Sequence, residues 1–420
     1  MGWGSRLRGR VRFDRNEWAG SFGDIGTDLP LLLAMIPAAG LDGASVFVMF
    51  GLMQILTGFL YGLPMPLQPL KAMAVLVITQ GLSGDLLFGG GLAVGFVMLL
   101  LAATGALEFL ARTIPKAVVR GIQLGLGLKL AQMAMLRYVP AEGAPGYVLA
   151  GACFLVLVFL LGNRRFPPAL FVILLGVLYA ALLRIDWTAV GSGLGFHLPS
   201  PRIPALSDVW TGFLLLALPQ LPLSLSNSVI ATDRTLRDLF PERRVGIRKI
   251  GLTYGFLNLV NPFFGGVPQC HGCGGLAGHY AFGGRTGGSV VIYGTLFLLL
   301  GLCFGGLVTQ VVLFFPHPML GVILLFEALT LMVFVRDTAS RPFEFKLALL
   351  VGVLALTLPQ GFLVAMLAGT ALHALAGRFP LLGEARNGDS KGPATPEASG
   401  PCADPSGSSS LRRPPPGIES

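Results

Sequence analysis

The chain has 420 residues, 53% hydrophobic and only 12% charged, with a mean hydropathy of +0.73. Soluble domains carry about a quarter charged residues, so an ordinary soluble enzyme is excluded and a polytopic protein of the lipid bilayer is indicated. The formal net charge of +9 does not require a nucleic-acid partner, because its placement along the chain explains it otherwise.

Residues 1–17 form a basic N-terminus holding Arg6, Arg8, Arg10, Arg12 and Arg15. Apolar runs follow at 18–36, 43–62, 67–82, 88–110, 116–136, 147–162 and 167–184. The first run is interrupted by GSFGDIGTD instead of ending in a small-residue cleavage site, so it is expected to be retained. A polar linker, 185–207, is expected outside the membrane. A second set lies at 208–232, 247–265, 269–284, 288–315, 318–335, 344–358 and 360–376. From about Arg386 the chain is rich in Pro, Ser and Gly, and 377–420 is expected to be a disordered cytoplasmic tail.

With the N-terminus inside, the loops bearing Arg112, Lys116, Arg120, Arg164, Arg165, Arg234 to Lys249, Arg285, Arg336 and Arg341 all fall on the cytoplasmic side. The outer side receives Arg137, Arg184 and Arg202. This positive-inside pattern orients a cell-membrane protein with both termini in the cytoplasm. The expected fold is all-α, with fourteen transmembrane segments. Seven per half is an odd number, so the halves, 18–184 and 208–376, form an inverted repeat. Neither monomer nor homodimer is fixed by the sequence.

Matching interruptions mark the two halves. MPLQPLKAMAVLV, residues 65–77, opens the third run, and GGVPQCHGCGGLAG opens the tenth. Broken helices at matching places of an inverted repeat point to a transport site. Pro64, Pro66 and Pro69 cannot donate and push their predecessors to extended geometry. Residues 64–68 and 267–272 are therefore expected to be extended, with half-helices starting near Pro69 and Gly272. Their N-termini, meeting near mid-membrane, would supply free N–H groups and partial positive charge. Lys71 is the only charged residue between Gly43 and Gly84. A buried ammonium at a helix N-terminus needs negative compensation. Two sources stand open: a salt bridge to Asp24 or Asp28, or an anionic substrate.

GSFGDIGTDLPLLLAM, MPLQPLKAMAVLV and PQCHGCGGLAGHYAFGGRTG resemble the molybdate transporter family of bacteria and plants, a distant relative of the SulP sulfate permeases. The likeness covers roughly residues 13–378. It implies the SulP and uracil-permease-like fold, with a core domain of spans 1–4 and 8–11 and a gate domain of spans 5–7 and 12–14. It also implies a substrate site between the two half-helices, containing Gln68, Pro69, Lys71, His271, Gly272 and Gly274, with Gln220, Ser224 and Asn227 from span 8. Where SulP carriers have a STAS domain, this chain shows only the short tail, which weakens the tie to sulfate.

Molybdate, sulfate and tungstate are tetrahedral dianions. Gly272 and Gly274 allow close backbone approach, and Gln68, Gln220 and Asn227 offer amides that could equally bond helix to helix. His271 could donate to the anion or simply bond a carbonyl. Asp28, Asp24 and Glu327 are intramembrane acids and candidate proton carriers, Asp28 first. Importing a dianion against 100 mV costs about 4.6 kcal/mol, which symport of two protons would cancel. The single CHGC pair with His279 lacks the second pair of a structural zinc site, and the remaining cysteines (Cys153, Cys303, Cys402) are scattered. No metal or cofactor is expected. No phosphate-binding loop, H-E-x-x-H or G-x-S-x-G supports an enzyme. The expected function is proton-coupled molybdate import by elevator-like alternating access. A sulfate or general oxyanion permease, and an anion channel of the same fold, are the alternatives.

Overall fold

The computed structural model describes residues 10–107, 109, 115–160, 168–184, 195–358 and 361–378. Most of the expected tail and residues 185–194 of the linker lie outside them. Asp14 opens α1 (Arg15–Gly20), its carboxylate accepting from the amides of Asn16 and Glu17. A turn over residues 21–24 then precedes α2 (Ile25–Ala39). The run over 18–36, taken as one span interrupted by GSFGDIGTD, is thus two helices. The division falls where backbone must meet backbone: a Cβ on Gly20 would lie 2.5 Å from Gly284 N, and one on Gly23 would lie 2.4 Å from Gly278 C.

Asp42 caps α3 (Gly43–Tyr61) through Ser45 N. Strand β1 (Leu67–Pro69) and the short helix α4 (Lys71–Gln80) follow. Gly81, at φ 63°, ends α4 in the left-handed conformation that glycine adopts without steric cost. Next come α5 (Gly84–Thr104), α6 (Lys116–Met133), α7 (Gly143–Phe159) and α8 (Pro168–Leu183). The second half contains α9 (Leu206–Leu239), α10 (Ile247–Val260), β2 (Gln269–His271) and α11 (Cys273–Ala281). It ends with α12 (Gly288–Phe314), α13 (His317–Val333), α14 (Pro342–Thr357) and α15 (Gly361–Arg378).

Among the described residues, six helical runs are long and apolar enough to cross a membrane: α3, α5, Lys116–Phe159, α9, Gly288–Gly305 and His317–Thr338. In lipid, helices gain little from hydrophobic contact with one another and associate through small residues that let backbones approach. The α3–α12 pair does this: a Cβ on Gly51 would lie 2.5 Å from Gly294 O, and one on Gly294 would lie 2.6 Å from Gly51 O.

Two polar devices tie segments outside the long helices into the bundle. Glu17, 1% exposed, accepts from the backbone amides of Arg285, Thr286 and Ser289 at 3.0, 2.9 and 2.9 Å. It thereby supplies acceptors at the start of α12, where helical N–H groups have none. The described part of the linker is stitched at three points: His197 N to Leu302 O, Ser200 N to Ser45 Oγ and Arg202 N to Phe263 O. The first of these lies beside the kink in α12 at Phe304 (φ −125°, ψ 28°), where a break in the helical ladder frees carbonyls.

Candidate anion-binding site

Interrupted helices inside a bilayer must find partners for the freed backbone. β1 and β2 supply some of these by pairing antiparallel, with Leu67 opposite His271, Gln68 opposite Cys270 and Pro69 opposite Gln269. Leu70 N adds a bond to Pro268 O at 3.0 Å. Two wholly buried amide side chains supply the rest. Gln54 Nε2 donates to Leu67 O at 2.7 Å and Gln54 Oε1 accepts from Leu67 N at 2.9 Å. Asn258 Nδ2 donates to Gln269 O at 2.7 Å and Asn258 Oδ1 accepts from Gln269 N at 2.8 Å.

The helices leave the ladder at opposite ends. α11 begins at Cys273 with Gly272 as its N-cap, as expected. α4 begins at Lys71 with Leu70 as its N-cap, near Pro69 as expected, while pairing with Gln269 keeps Pro69 itself extended within the strand. The two N-termini differ in their occupation. Gln220 Oε1 accepts from Ala72 N and Met73 N at 2.9 and 3.4 Å, so its amide oxygen caps α4. Gln220 Nε2 in turn donates to Ser224 Oγ at 3.0 Å, and Ser224 Oγ lies 2.7 Å from Tyr254 Oη. The donor expected to face an anion from Gln220 is therefore engaged in the protein. The N-cap of α11, Gly272, has no side chain with which to cap it. A Cβ on Gly274 would meet nothing within 4 Å, so open space adjoins the first turn of α11.

Asp24, Asp28, Lys71 and Glu327 gather around this point. Gln68 Nε2 donates to both oxygens of Asp24, at 2.8 and 2.7 Å. The pair fills the room left by two glycines: a Cβ on Gly272 would fall 2.1 Å from Gln68 Oε1, and one on Gly275 would fall 2.2 Å from Asp24 Oδ2. Tyr293 Oη donates to Asp28 Oδ2 at 3.1 Å, while Asp28 Oδ1, also buried, has no hydrogen-bond partner. Lys71 makes no salt bridge among the described residues. Its ammonium sits in the field of Glu327, Asp24 and Asp28. Glu327, on α13, stands beside the Thr27 hydroxyl of α2.

His271 is fully buried. Its Nδ1 lies 3.4 Å from Pro66 O, its ring meets the Tyr61 ring edge-on at 5.1 Å, and its Nε2 has no partner. Asn227 lies on a π-helical turn of α9 and makes no side-chain hydrogen bond among the described residues. Arg285 stacks on Tyr280 at 3.6 Å, away from the ladder. Sequence reading did not single out Gln54, Asn258, Tyr254 or Tyr293. A lone amide or tyrosine in an apolar run is itself a signal, since its polar atoms need partners when buried.

Chemically, the assembly offers an ammonium without a salt bridge among the described residues, a helix N-terminus with glycine at its cap and open space beside a second glycine, features that suit a small anion. It also holds carboxylates that would repel one.

A family model described as "Molybdate transporter of MFS superfamily" matches residues 16–130 and 212–331. The chain is 32% identical over 403 residues to Molybdate transporter 1 of Arabidopsis thaliana, covering 85% of this chain and 87% of that protein. Among solved structures, it resembles the transmembrane domain of the cyanobacterial bicarbonate transporter BicA. The TM-score is 0.61 at 17% identity, covering 86% of this chain and 100% of that one. The murine anion transporter Slc26a9, in its inward-facing state, gives a TM-score of 0.67 at 14% identity, covering 90% of this chain and 70% of that one. At such identities the likeness concerns the fold alone, and that fold is the SLC26 and BicA type. The chain is a multi-pass integral membrane transporter and not an enzyme, and it belongs to the molybdate transporter family.

Proposed function

We propose that this chain imports molybdate across the cell membrane, coupled to protons, by movement of a core domain against a gate domain. The observation that carries the reading is the antiparallel pairing of β1 with β2, each leading into a short helix. Oppositely directed half-helices on one ladder are what an inverted repeat of seven plus seven crossings would produce, and such repeats hold substrate at the break. In this reading Lys71, the first turn of α11 with Gly272 and Gly274, and the amide of Asn227 receive the dianion, while Gln68, its Nε2 held by Asp24, helps to frame it. His271, Pro69, Gln220 and Ser224 shape the pocket around it. In this reading both termini lie in the cytoplasm, which the distribution of basic loops supports.

Proton coupling is supported by energetics and by the acids near Lys71. Charge compensation by about two protons would offset the ~4.6 kcal/mol that 100 mV imposes on an entering dianion. Asp28, with one buried oxygen unpartnered, is the first proton carrier; Asp24 and Glu327 are the others.

Radiotracer uptake into proteoliposomes tests the proposal. Molybdate should accumulate saturably, accelerate when the outside is acidified, and resist a large excess of sulfate. Strong competition by sulfate would reassign the chain as a general oxyanion permease. Continuous conductance without saturation would make it a channel.

A further inference from the structure

Away from the paired strands, α6 runs into a π-helical turn, Ala134–Tyr138. The extra residue of such a turn re-aims the side chains that follow, and π turns recur at functional sites. This one carries Arg137. A cavity of about 280 Å³ opens beside it, lined by Lys129, Gln132, Met133, Leu136 and Arg137, and by Thr79 of α4. Positions 129, 132, 133 and 136 share one helix face.

Two cations thus line one void. Lys129 is part-buried, with its ammonium 5.9 Å from the centroid of the Phe362 ring. Neither it nor Arg137 has a carboxylate at salt-bridge distance among the described residues. Arg137 is exposed, on the side that the basic loops mark as outer, whereas Lys129 is part-buried. The hydroxyl of Thr79 is committed to Val75 O at 2.7 Å, so Gln132 is the neutral donor available to a guest. Two cations and an amide suit a tetrahedral oxyanion. Thr79 stands eight residues beyond Lys71 on the same helix, a rise of roughly 12 Å. The cavity therefore lies at the far end of the helix whose start carries Lys71.

We propose that this cavity is a second, outlying oxyanion site that loads the central one. The inference rests on the reading of the chain as a molybdate carrier. A phosphate of a lipid headgroup shares the chemistry, and the test separates the two sources.

Labelled molybdate is titrated against the full chain in a phosphate-free maltoside detergent. Wild type should bind two anions per chain, and Lys71→Ala and the double variant Lys129→Gln/Arg137→Gln one each. In proteoliposomes the double variant should keep its maximal rate, raise its apparent KM about five-fold, and lose most of the salt dependence of uptake at low concentration. Lys129→Arg/Arg137→Lys, which retains both charges, should behave as wild type. One anion per chain in wild type and double variant alike, with unchanged KM and salt slope, overturns the second site and leaves the central one standing. No molybdate bound by wild type overturns the carrier reading itself. Phosphatidylglycerol retained by wild type but not by the double variant, with the second molybdate lost in nanodiscs of that lipid, assigns the cavity to a headgroup and overturns its loading role.

Discussion

Gln54 and Asn258 hold the two strands in the same way from opposite halves of the chain. Each side-chain amide both donates to and accepts from the backbone of one strand residue, Leu67 in the first case and Gln269 in the second. They stand 13 and 11 residues ahead of those partners, on α3 and α10. Truncating either would strand one N–H and one C=O in a fully buried place. At about 1–3 kcal/mol for each unsatisfied group, Gln54→Ala and Asn258→Ala should each cost ~2–6 kcal/mol. Thermal unfolding in detergent reads this as a large drop in midpoint, and Gln54→Glu, which keeps the acceptor, should fall between.

Lys71 is the group whose charge the central site most needs. Lys71→Ala should abolish uptake and molybdate binding at the central site, leaving one anion per chain instead of two, while the protein still folds, since no salt bridge is broken. Equilibrium dialysis with labelled molybdate checks it, and full uptake by the variant would refute the site.

The glycines of the first turn of α11 make a graded test. Gly272→Ala and Gly275→Ala would drive a methyl into Gln68 Oε1 and Asp24 Oδ2, so both should lose stability and binding together. Gly274→Ala meets open space. It should leave the unfolding midpoint unchanged and weaken molybdate binding on the order of ten-fold by occupying the guest's room, a loss of ~1.4 kcal/mol. Unaltered affinity in Gly274→Ala would show that the anion sits elsewhere.

Asp28 should set the response to pH. Asp28→Asn is expected to flatten the dependence of uptake on outside pH and to abolish accumulation driven by a proton gradient, while molybdate exchange continues. Asp24→Asn should also release Gln68, whose Nε2 bonds both Asp24 oxygens. A pH profile of Asp28→Asn that overlays the wild type would exonerate that residue and leave Asp24 and Glu327.

Glu17 accepts three backbone amides while fully buried. Bonds to charged acceptors are worth about 1.5–3 kcal/mol each, and removing this one carboxylate strands all three donors. Glu17→Ala should therefore lower the unfolding midpoint by more than any single truncation on the lipid-facing surface.

Where the long helices would lie was largely legible because apolar runs of set length, broken by Pro and Gly, leave little choice in a bilayer; that the run over 18–36 divides into α1 and α2 was not, since it depends on contacts with Gly278 and Gly284. The ladder was legible in part: Pro64, Pro66 and Pro69 announced extended chain, but not that Pro69 would stay in the strand, which depends on Gln269 across the pair. The acids and Lys71 were visible as isolated charges in apolar sequence. What Gln220 does was not. An amide on a helix reads the same whether its oxygen caps a neighbouring helix or its nitrogen faces a ligand, and only the position of Ala72 and Met73 decides. The cavity at Lys129 and Arg137 depends on a π-helical turn that no spacing in the sequence reveals.

The carboxylate of Glu17 has a mechanical corollary. It rivets the segment ahead of α2 to the loop joining α11 and α12, and Gly287 N to Arg10 O and Arg12 N to Thr286 Oγ1 add further rivets. Any stroke that carries α11 must haul residues 10–20 along with it. A spin label near Arg10 would then report the excursion of a helix deep in the bilayer from a perch at its edge.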